Sequence, residues 1–350
     1  MPIRSRKRPA PFVAAVGALA VLLWTAGFAG EPQPPRASGW PPLAGEVAWS
    51  LLAVGDTGAR PWPIARSRQQ LVRVARAMAE EDLRDPVEAL VLLGDNFYPD
   101  GLRRDELDER IRANLGGPFC RFLPTPDVTC PVPSRPVPVF AVLGNHDHGS
   151  AESPHLQRTE IRRRLPQFLL PEEPVRGLEL GQGVSLVLYD ARELLAAGSF
   201  EPLRAALRAS AGPWRIAAGH YPLTVRPSDH EGRAAREALR DLDVPVHLHL
   251  AGHRHYLELA SGTEPPYLQA IAGTGSNTRP LKEPLEGSRL QAQRPGFVRV
   301  DLVDAPDGRR LVVSVLALPA GPLGAPRAEV LARWSVGREG DTRAESLPGR

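Results

Sequence analysis

The sequence predicts an α/β domain with a largely buried sheet. Short, continuous apolar runs of strand length alternate with amphipathic stretches of helical spacing. Five of these segments lead into a glycine followed by Asp, Asn or His, and ligands gather at strand ends in open α/β sheets.

Val47–Val54 reads as the first buried strand. Ser67 is the candidate N-cap of a helix through about Glu81, with Leu71, Val74, Ala75 and Met78 at helical spacing. Strand Ala89–Leu93, helix Asp105–Leu115, strand Val137–Leu143 and helix Thr159–Leu165 follow. Strands Val184–Tyr189, Trp214–Ala218 and Val246–Leu250 alternate with helices Pro202–Ser210 and Glu231–Leu239. Tyr267–Ala272, Phe297–Val303 and Leu311–Leu316 are later strands, the last two read as an antiparallel pair. The expected layout is a leader over 1–30, a Pro-rich linker over 31–44, one main domain over 45–336 and a frayed polar tail over 337–350.

Of the net charge of +3, residues 1–30 carry +4 through Arg4, Arg6, Lys7 and Arg8, so the remainder sums to −1. A nearly neutral domain lacks the electrostatic footprint of a nucleic-acid binder, and no nucleic acid is expected as a partner. The basic cluster precedes an uncharged, mostly apolar run, Phe12–Ala29. Its length falls between a signal-peptide core and a spanning helix. It reads equally as a cleaved signal or as a membrane attachment, and both readings export the rest of the chain to a periplasmic or extracellular space. Cys120 and Cys130 share a stretch with six prolines, Gly116–Pro136, and an oxidising compartment favours a disulfide between them. This stretch precedes the strand that leads to Asn145, so it is a candidate to overhang the site, with plain surface decoration as the equal alternative.

The five glycine-led motifs are Gly55-Asp56-Thr57-Gly58, Gly94-Asp95-Asn96-Phe97-Tyr98, Gly144-Asn145-His146-Asp147-His148, Gly219-His220 and Gly252-His253-Arg254-His255. Each glycine allows a sharp turn where a side chain would collide with its neighbours. Alone, each motif is a common turn or a lone histidine. Together they offer two carboxylates, a phenol, an amide and three imidazoles, enough donors for two adjacent metal ions. Such a site points to phosphoester cleavage.

In that order the motifs resemble the metallophosphoesterase superfamily, and within it the purple acid phosphatases of the small tartrate-resistant type. The resemblance spans Gly55 to His255 and includes the local runs GDNFY, GNHDH and AGHYP. It implies a four-layer α/β/β/α sandwich with mixed sheets and a dinuclear site at the C-terminal ends of strands. The Cys-bearing loop has no place in that family pattern.

The implied ligands are Asp56, Asp95, Tyr98, Asn145, His220, His253 and His255. Many metallophosphoesterases have Asp-x-His where this chain has Asp56-Thr57-Gly58, and Tyr98 replaces the missing ligand. A tyrosinate favours a trivalent ion. One site is therefore expected to hold Fe(3+) on Asp56, Asp95, Tyr98 and His255. The other is expected to hold Fe(2+), Zn(2+) or Mn(2+) on Asp95, Asn145, His220 and His253, with Asp95 as the bridge. The metal charges exceed those of the three anionic ligands and a hydroxide, so the centre stays positive and attracts phosphate. The resemblance also gives His146, and less closely His230, the tasks of binding phosphate and protonating the leaving group.

Asp147 reads as a residue that orients a ligand, His148 as loop packing and Asn96 as a brace of its own turn. His247 and His249 read as buried imidazoles bonded to backbone carbonyls rather than as extra ligands. Arg254 is expected to be exposed, and His155 is ordinary surface. The expected activity is exported, acid-optimum hydrolysis of small phosphomonoesters by attack of a metal-bound hydroxide, with no obligate protein partner. A phosphodiesterase or nucleotide-directed hydrolase on the same centre is the alternative. A binding module with a degenerate metal site is the rival from another class, and the complete donor set argues against it.

Overall fold

The computed structural model describes residues 43, 45–59, 65–240, 242–319 and 327–345. The basic cluster, the apolar run Phe12–Ala29 and nearly all of the Pro-rich linker lie outside the described residues. Among the described residues, no helix is long and apolar enough to cross a membrane.

The strands are β1 (Glu46–Val54), β2 (Ala89–Leu92), β3 (Val139–Ala141), β4 (Phe168–Leu169), β5 (Val175–Glu179), β6 (Val184–Tyr189), β7 (Trp214–Ala218) and β8 (Leu248–Ala251). They continue with β9 (Leu257–Ser261), β10 (Leu268–Ala272), β11 (Ser288–Ala292), β12 (Gly296–Ala305), β13 (Gly308–Ala317), β14 (Glu329–Gly337) and β15 (Thr342–Ala344). The helices are α1 (Ala65–Arg84), α2 (Leu107–Ile111), α3 (Ser153–Leu156), α4 (Arg162–Arg164), α5 (Ala191–Ala196), α6 (Glu201–Ala209) and α7 (His230–Arg240).

The strands form two mixed sheets. The first has eight strands in the order β15-β14-β13-β12-β1-β2-β3-β4, and the second has seven in the order β11-β9-β10-β8-β7-β6-β5. The centre of each is parallel: β1 with β2 and β3, and β6 with β7, β8 and β10. Phe297–Val303 and Leu311–Leu316 do lie in an antiparallel pair, β12 with β13.

Three apolar clusters separate four layers. The two buried faces of β1 explain why its sequence is mostly apolar. Leu52 and Val54 face a cluster shared with α1, whereas Trp49, Leu51 and Ala53 face the second sheet. On the far side of the second sheet, Val187, Tyr189 and Ala217 pack against Leu194 of α5, Leu203 of α6 and Leu239 of α7. The architecture is the expected α/β/β/α sandwich.

Four expectations change. Helix α1 begins at Ala65, so Ser67 lies inside its first turn and is not the N-cap. The helix expected over Thr159–Leu165 begins earlier, at Ser153, and passes through a π-helical turn before α4. The chain beyond Gly337 is not wholly a frayed tail, because β15 pairs with β14. The disulfide Cys120–Cys130 forms, but its loop does not overhang the metal-ligand loops. Arg121 Nε donates to Asp82 Oδ2 at 2.6 Å, and Arg135 Nη1 donates to Asp82 Oδ1 and to the Val87 carbonyl, each at 2.7 Å. Asp82 and Val87 mark the end of α1 and the approach to β2, opposite the strand ends that carry the ligand candidates.

Candidate metal centre

Strands of both sheets deliver the seven ligand candidates at one edge of the sandwich. Asp56 follows β1, Asp95 and Tyr98 follow β2, and Asn145 follows β3. His220 follows β7, and His253 and His255 follow β8.

The donor atoms gather at two foci. At the first, Tyr98 Oη donates to Asp56 Oδ1 at 2.8 Å and lies 2.9 Å from Asp95 Oδ2. His255 Nε2 lies 3.4 Å from both Tyr98 Oη and Asp56 Oδ1. At the second, Asn145 Oδ1 lies 3.2 Å from His220 Nε2 and 3.0 Å from His253 Nδ1. Those two ring nitrogens are 3.3 Å apart, and Asp95 Oδ1 lies 3.5 Å from His220 Nε2. Asp95 thus turns one oxygen toward each focus.

These spacings fit ions. Donors held by one cation at about 2.1 Å sit about 3.0–3.4 Å from one another, for octahedral and tetrahedral arrangements respectively. The chemistry of the second focus fits too. The carbonyl of Leu93 accepts from His220 Nδ1 at 2.8 Å, which leaves Nε2 as the ring atom that offers a lone pair to an ion once its proton is displaced. That atom faces the side-chain oxygen of Asn145.

The backbone is strained at the same places. Among the described residues, four non-glycine residues have left-handed φ, and three of them are Asp56 (57°), Asp95 (54°) and His253 (64°). Strain of this kind persists where the surroundings over-determine it, and it clusters at functional sites. The motif glycines make room: a Cβ on Gly144 would stand 2.2 Å from Asp95 Oδ1, and Gly94 turns through a φ of +83°.

Burial and the carboxylates set the charge state. Burial pushes Asp56 up to about 7, against the attraction of His220. Burial also opposes ionisation of Asp95, but His220 and His146 outweigh it and hold its carboxyl below the usual range. His220 is raised: its burial acts downward and is overcome by Asp95 and Asp56. Burial lowers His253 to about 3 and His255 to about 4. Tyr98 is raised well above its ordinary value by burial and then by Asp56 and Asp95.

The residues around the donors divide into braces and rim. Asp147 is fully buried and joins two loops. Its Oδ2 accepts from the backbone of Gly144 at 2.9 Å and of Asn96 at 3.0 Å, and its Oδ1 accepts from Phe97 N at 3.1 Å and Gln157 Nε2 at 2.9 Å. Asn96 braces its turn through the carbonyl of Val142 at 3.0 Å. His146 stands at the rim, with its ring edge-on to Tyr98 at 4.4 Å. Its Nδ1 donates to the Pro99 carbonyl at 2.5 Å, which leaves Nε2 free. His230 is the exposed first residue of α7, and its Nδ1 lies 3.5 Å from Arg233 Nη2. No hydrogen bond joins it to any of the seven donors among the described residues.

The remaining histidines do not join the centre. His148 bonds Asp190 at 2.7 Å. With Glu193 these two form a second cluster of metal-ligand types, but Glu193 is engaged by Arg158 and Asp190 caps α5. His247 bonds the Arg338 carbonyl at 3.0 Å, as expected for a buried imidazole. His249 differs in partner, bonding Tyr189 Oη at 2.7 Å and Gln269 Oε1 at 3.2 Å. His155 is exposed. Arg254 corrects the sequence reading: it is only 3% exposed, because Asp229 and Glu258 neutralise it.

Sequence reasoning missed three contributors. The loop Gly273-Thr274-Gly275-Ser276 after β10 backs Asp56, with Ser276 N donating to the Asp56 carbonyl at 2.9 Å. Its apolar-strand-then-glycine form was the available signal, hidden because no ligand residue follows. Tyr221, the neighbour of His220, lays its ring 4.7 Å from that of His253. Arg192 is exposed at the rim, 3.4 Å from the Asn145 carbonyl, and no carboxylate pairs with it among the described residues.

The family model described as calcineurin-like phosphoesterase matches residues 50–257. No curated protein matches the chain. Among solved structures, it is similar to GAP50, the anchor in the inner membrane complex of Plasmodium, with a TM-score of 0.60 and 14% identity over 86% of this chain and 90% of that one. PhoD gives a TM-score of 0.58 and 11% identity over 89% of this chain and 74% of that one. The purple acid phosphatase PPD1 from yellow lupin (Lupinus luteus) seeds gives 0.54 and 14% over 84% and 55%. At such identities these three share the fold.

Proposed function

This chain belongs to the calcineurin-like phosphoesterase family, and from that premise we propose that it is an exported acid phosphatase acting on small phosphomonoesters. The family makes it a metal-dependent phosphoric ester hydrolase with two metal ions. The observation that carries the finer reading is the phenol of Tyr98 set against Asp56 and Asp95 at 2.8 and 2.9 Å. Three oxygen donors, two of them carboxylate, suit a trivalent ion. Fe(3+) is assigned to Asp56, Asp95, Tyr98 and His255. Fe(2+), Zn(2+) or Mn(2+) is assigned to Asp95, Asn145, His220 and His253.

When bound, the two ions polarise the phosphate and acidify a water to a nucleophile below neutral pH. The chain's own residues do the rest. His146 is fixed through Nδ1 by Pro99, so its Nε2 addresses the phosphate or the departing oxygen. Arg192, exposed beside Asn145 and without a carboxylate partner among the described residues, supplies a cation to the substrate's phosphate. His230 is the second candidate for the leaving-group proton. The Cys120–Cys130 disulfide supports export, and the basic flank before Phe12–Ala29 supports the same direction. A small phosphorylated molecule is the substrate, with no nucleic acid and no obligate protein partner.

Turnover of p-nitrophenyl phosphate against its bis ester tests the reading. A monoesterase prefers the first. Preference for the bis ester would make the chain a phosphodiesterase on the same centre.

A further inference from the structure

The buried arginine between two ligand candidates ties the metal loop to the start of α7. Arg254 separates His253 from His255, and its guanidinium points into the protein. Its Nη2 lies 3.2 Å from Asp229 Oδ2, and its Nη1 donates to Tyr256 Oη at 3.2 Å. Glu258 Oε2 stands 3.8 Å from Nη1. A buried guanidinium holds its place only while its charge is matched, so Asp229 is under constraint. Asp229 is also the residue before α7: its carbonyl accepts from Arg233 N at 3.0 Å, and its own N–H bonds the Arg226 carbonyl at 3.1 Å. The next residue is His230. The Pro222 carbonyl lies 2.0 Å from where a Cβ on Gly232 would stand, so the first turn of α7 is pressed against the segment that carries His220.

We propose that Arg254 and Asp229 are positioning residues that hold His230 at a fixed place relative to the loop of His253 and His255. This inference rests on the phosphatase reading above. As the bond between phosphorus and the ester oxygen breaks, the proton of the His230 imidazolium passes to that oxygen. The products are a free alcohol, a phosphate that has gained its oxygen from water, and a neutral imidazole that regains its proton from solvent. An aliphatic alkoxide needs that proton, and a nitrophenolate leaves without it. The side chains of Asp229 and Arg254 bond no metal-donor atom, and full metal content in the variants separates an effect through His230 from one through His253 and His255.

The test uses the metal-loaded protein with two substrates, glycerol 3-phosphate and p-nitrophenyl phosphate. Asp229 is partly exposed, so Asp229→Ala is the first variant, with Arg254→Lys as the conservative partner. The expected result is a loss of kcat of about tenfold or more on glycerol 3-phosphate and less than about threefold on p-nitrophenyl phosphate, with full metal content. Arg254→Lys should recover part of the loss seen in Arg254→Met. In the double variant Asp229→Ala/His230→Gln, glycerol 3-phosphate should turn over no more slowly than in His230→Gln alone. Equal losses on both substrates, additive losses in the double variant, or loss of metal would overturn the positioning role while leaving an active phosphatase. A wild type inert toward both substrates would overturn the phosphatase reading and this role with it.

Discussion

Oη of Tyr98 lies 2.8 Å from Oδ1 of Asp56, and the phenol holds its proton there. Burial, then Asp56 and Asp95, raise its pKa well above the ordinary value. A trivalent ion at this focus has to expel that proton, so uptake of iron releases acid and tightens as pH rises. The loaded protein should show a visible charge-transfer band, and Tyr98→Phe should remove it. An iron-replete wild type without colour would refute the tyrosinate assignment.

Asp56 gives the metal-free protein a pH dependence with a definite sign. Its carboxyl stands at about 7 in the fold against 3.8 for a free side chain, chiefly through burial. The folded state therefore holds this proton more tightly than the unfolded state. The resulting stability is fully present below about 4 and is lost as pH rises through about 7. Asp56→Asn cannot ionise and lacks the effect. In urea titrations of metal-free protein, the variant should gain on the wild type between those limits, by a few kcal/mol at most. A difference that stays flat with pH would show that Asp56 is not raised.

Much of this arrangement was legible because each donor follows an apolar strand and a glycine. β6 and β7 match their expected limits because both strands are buried almost throughout, and only Ser185 and Arg215 interrupt their apolar runs. Two of the strands that escaped notice, β9 and β14, carry buried charge. In β9, Glu258 accepts from Leu285 N at 2.7 Å, and in β14, Arg333 donates to Ser314 Oγ at 3.1 Å. Those partners are distant in sequence, so the pattern alone reads as polar chain. Arg254 was misjudged for the same reason: alternation gave its direction away from the donors correctly, but Asp229 and Glu258 turn that direction into interior.

The two foci share only Asp95, which predicts unequal consequences for the ligands. Asp95→Ala removes a donor from both, so both metals and turnover should be lost. Asn145→Ala removes a donor only from the focus of His220 and His253. Elemental analysis should then find the divalent ion depleted and the iron and its colour kept. Activity should fall by about a hundredfold. Equal loss of both metals in Asn145→Ala would mean that the foci are not separate sites.

The Cys120–Cys130 bridge should matter for stability and not for catalysis. It closes a short loop, with a sequence separation of 10, and such a loop contributes about 2–3 kcal/mol by restricting the unfolded chain. The loop is fastened to Asp82 and Val87, at the end of the sandwich away from the donors. The variant Cys120→Ser/Cys130→Ser should therefore melt at a lower temperature while its metal content and kcat match the wild type below that temperature. A fall in kcat with metal retained would mean that the loop reaches the substrate. The distances from Arg121 and Arg135 to Asp82 argue against that, because they fix the loop on both sides of the bridge.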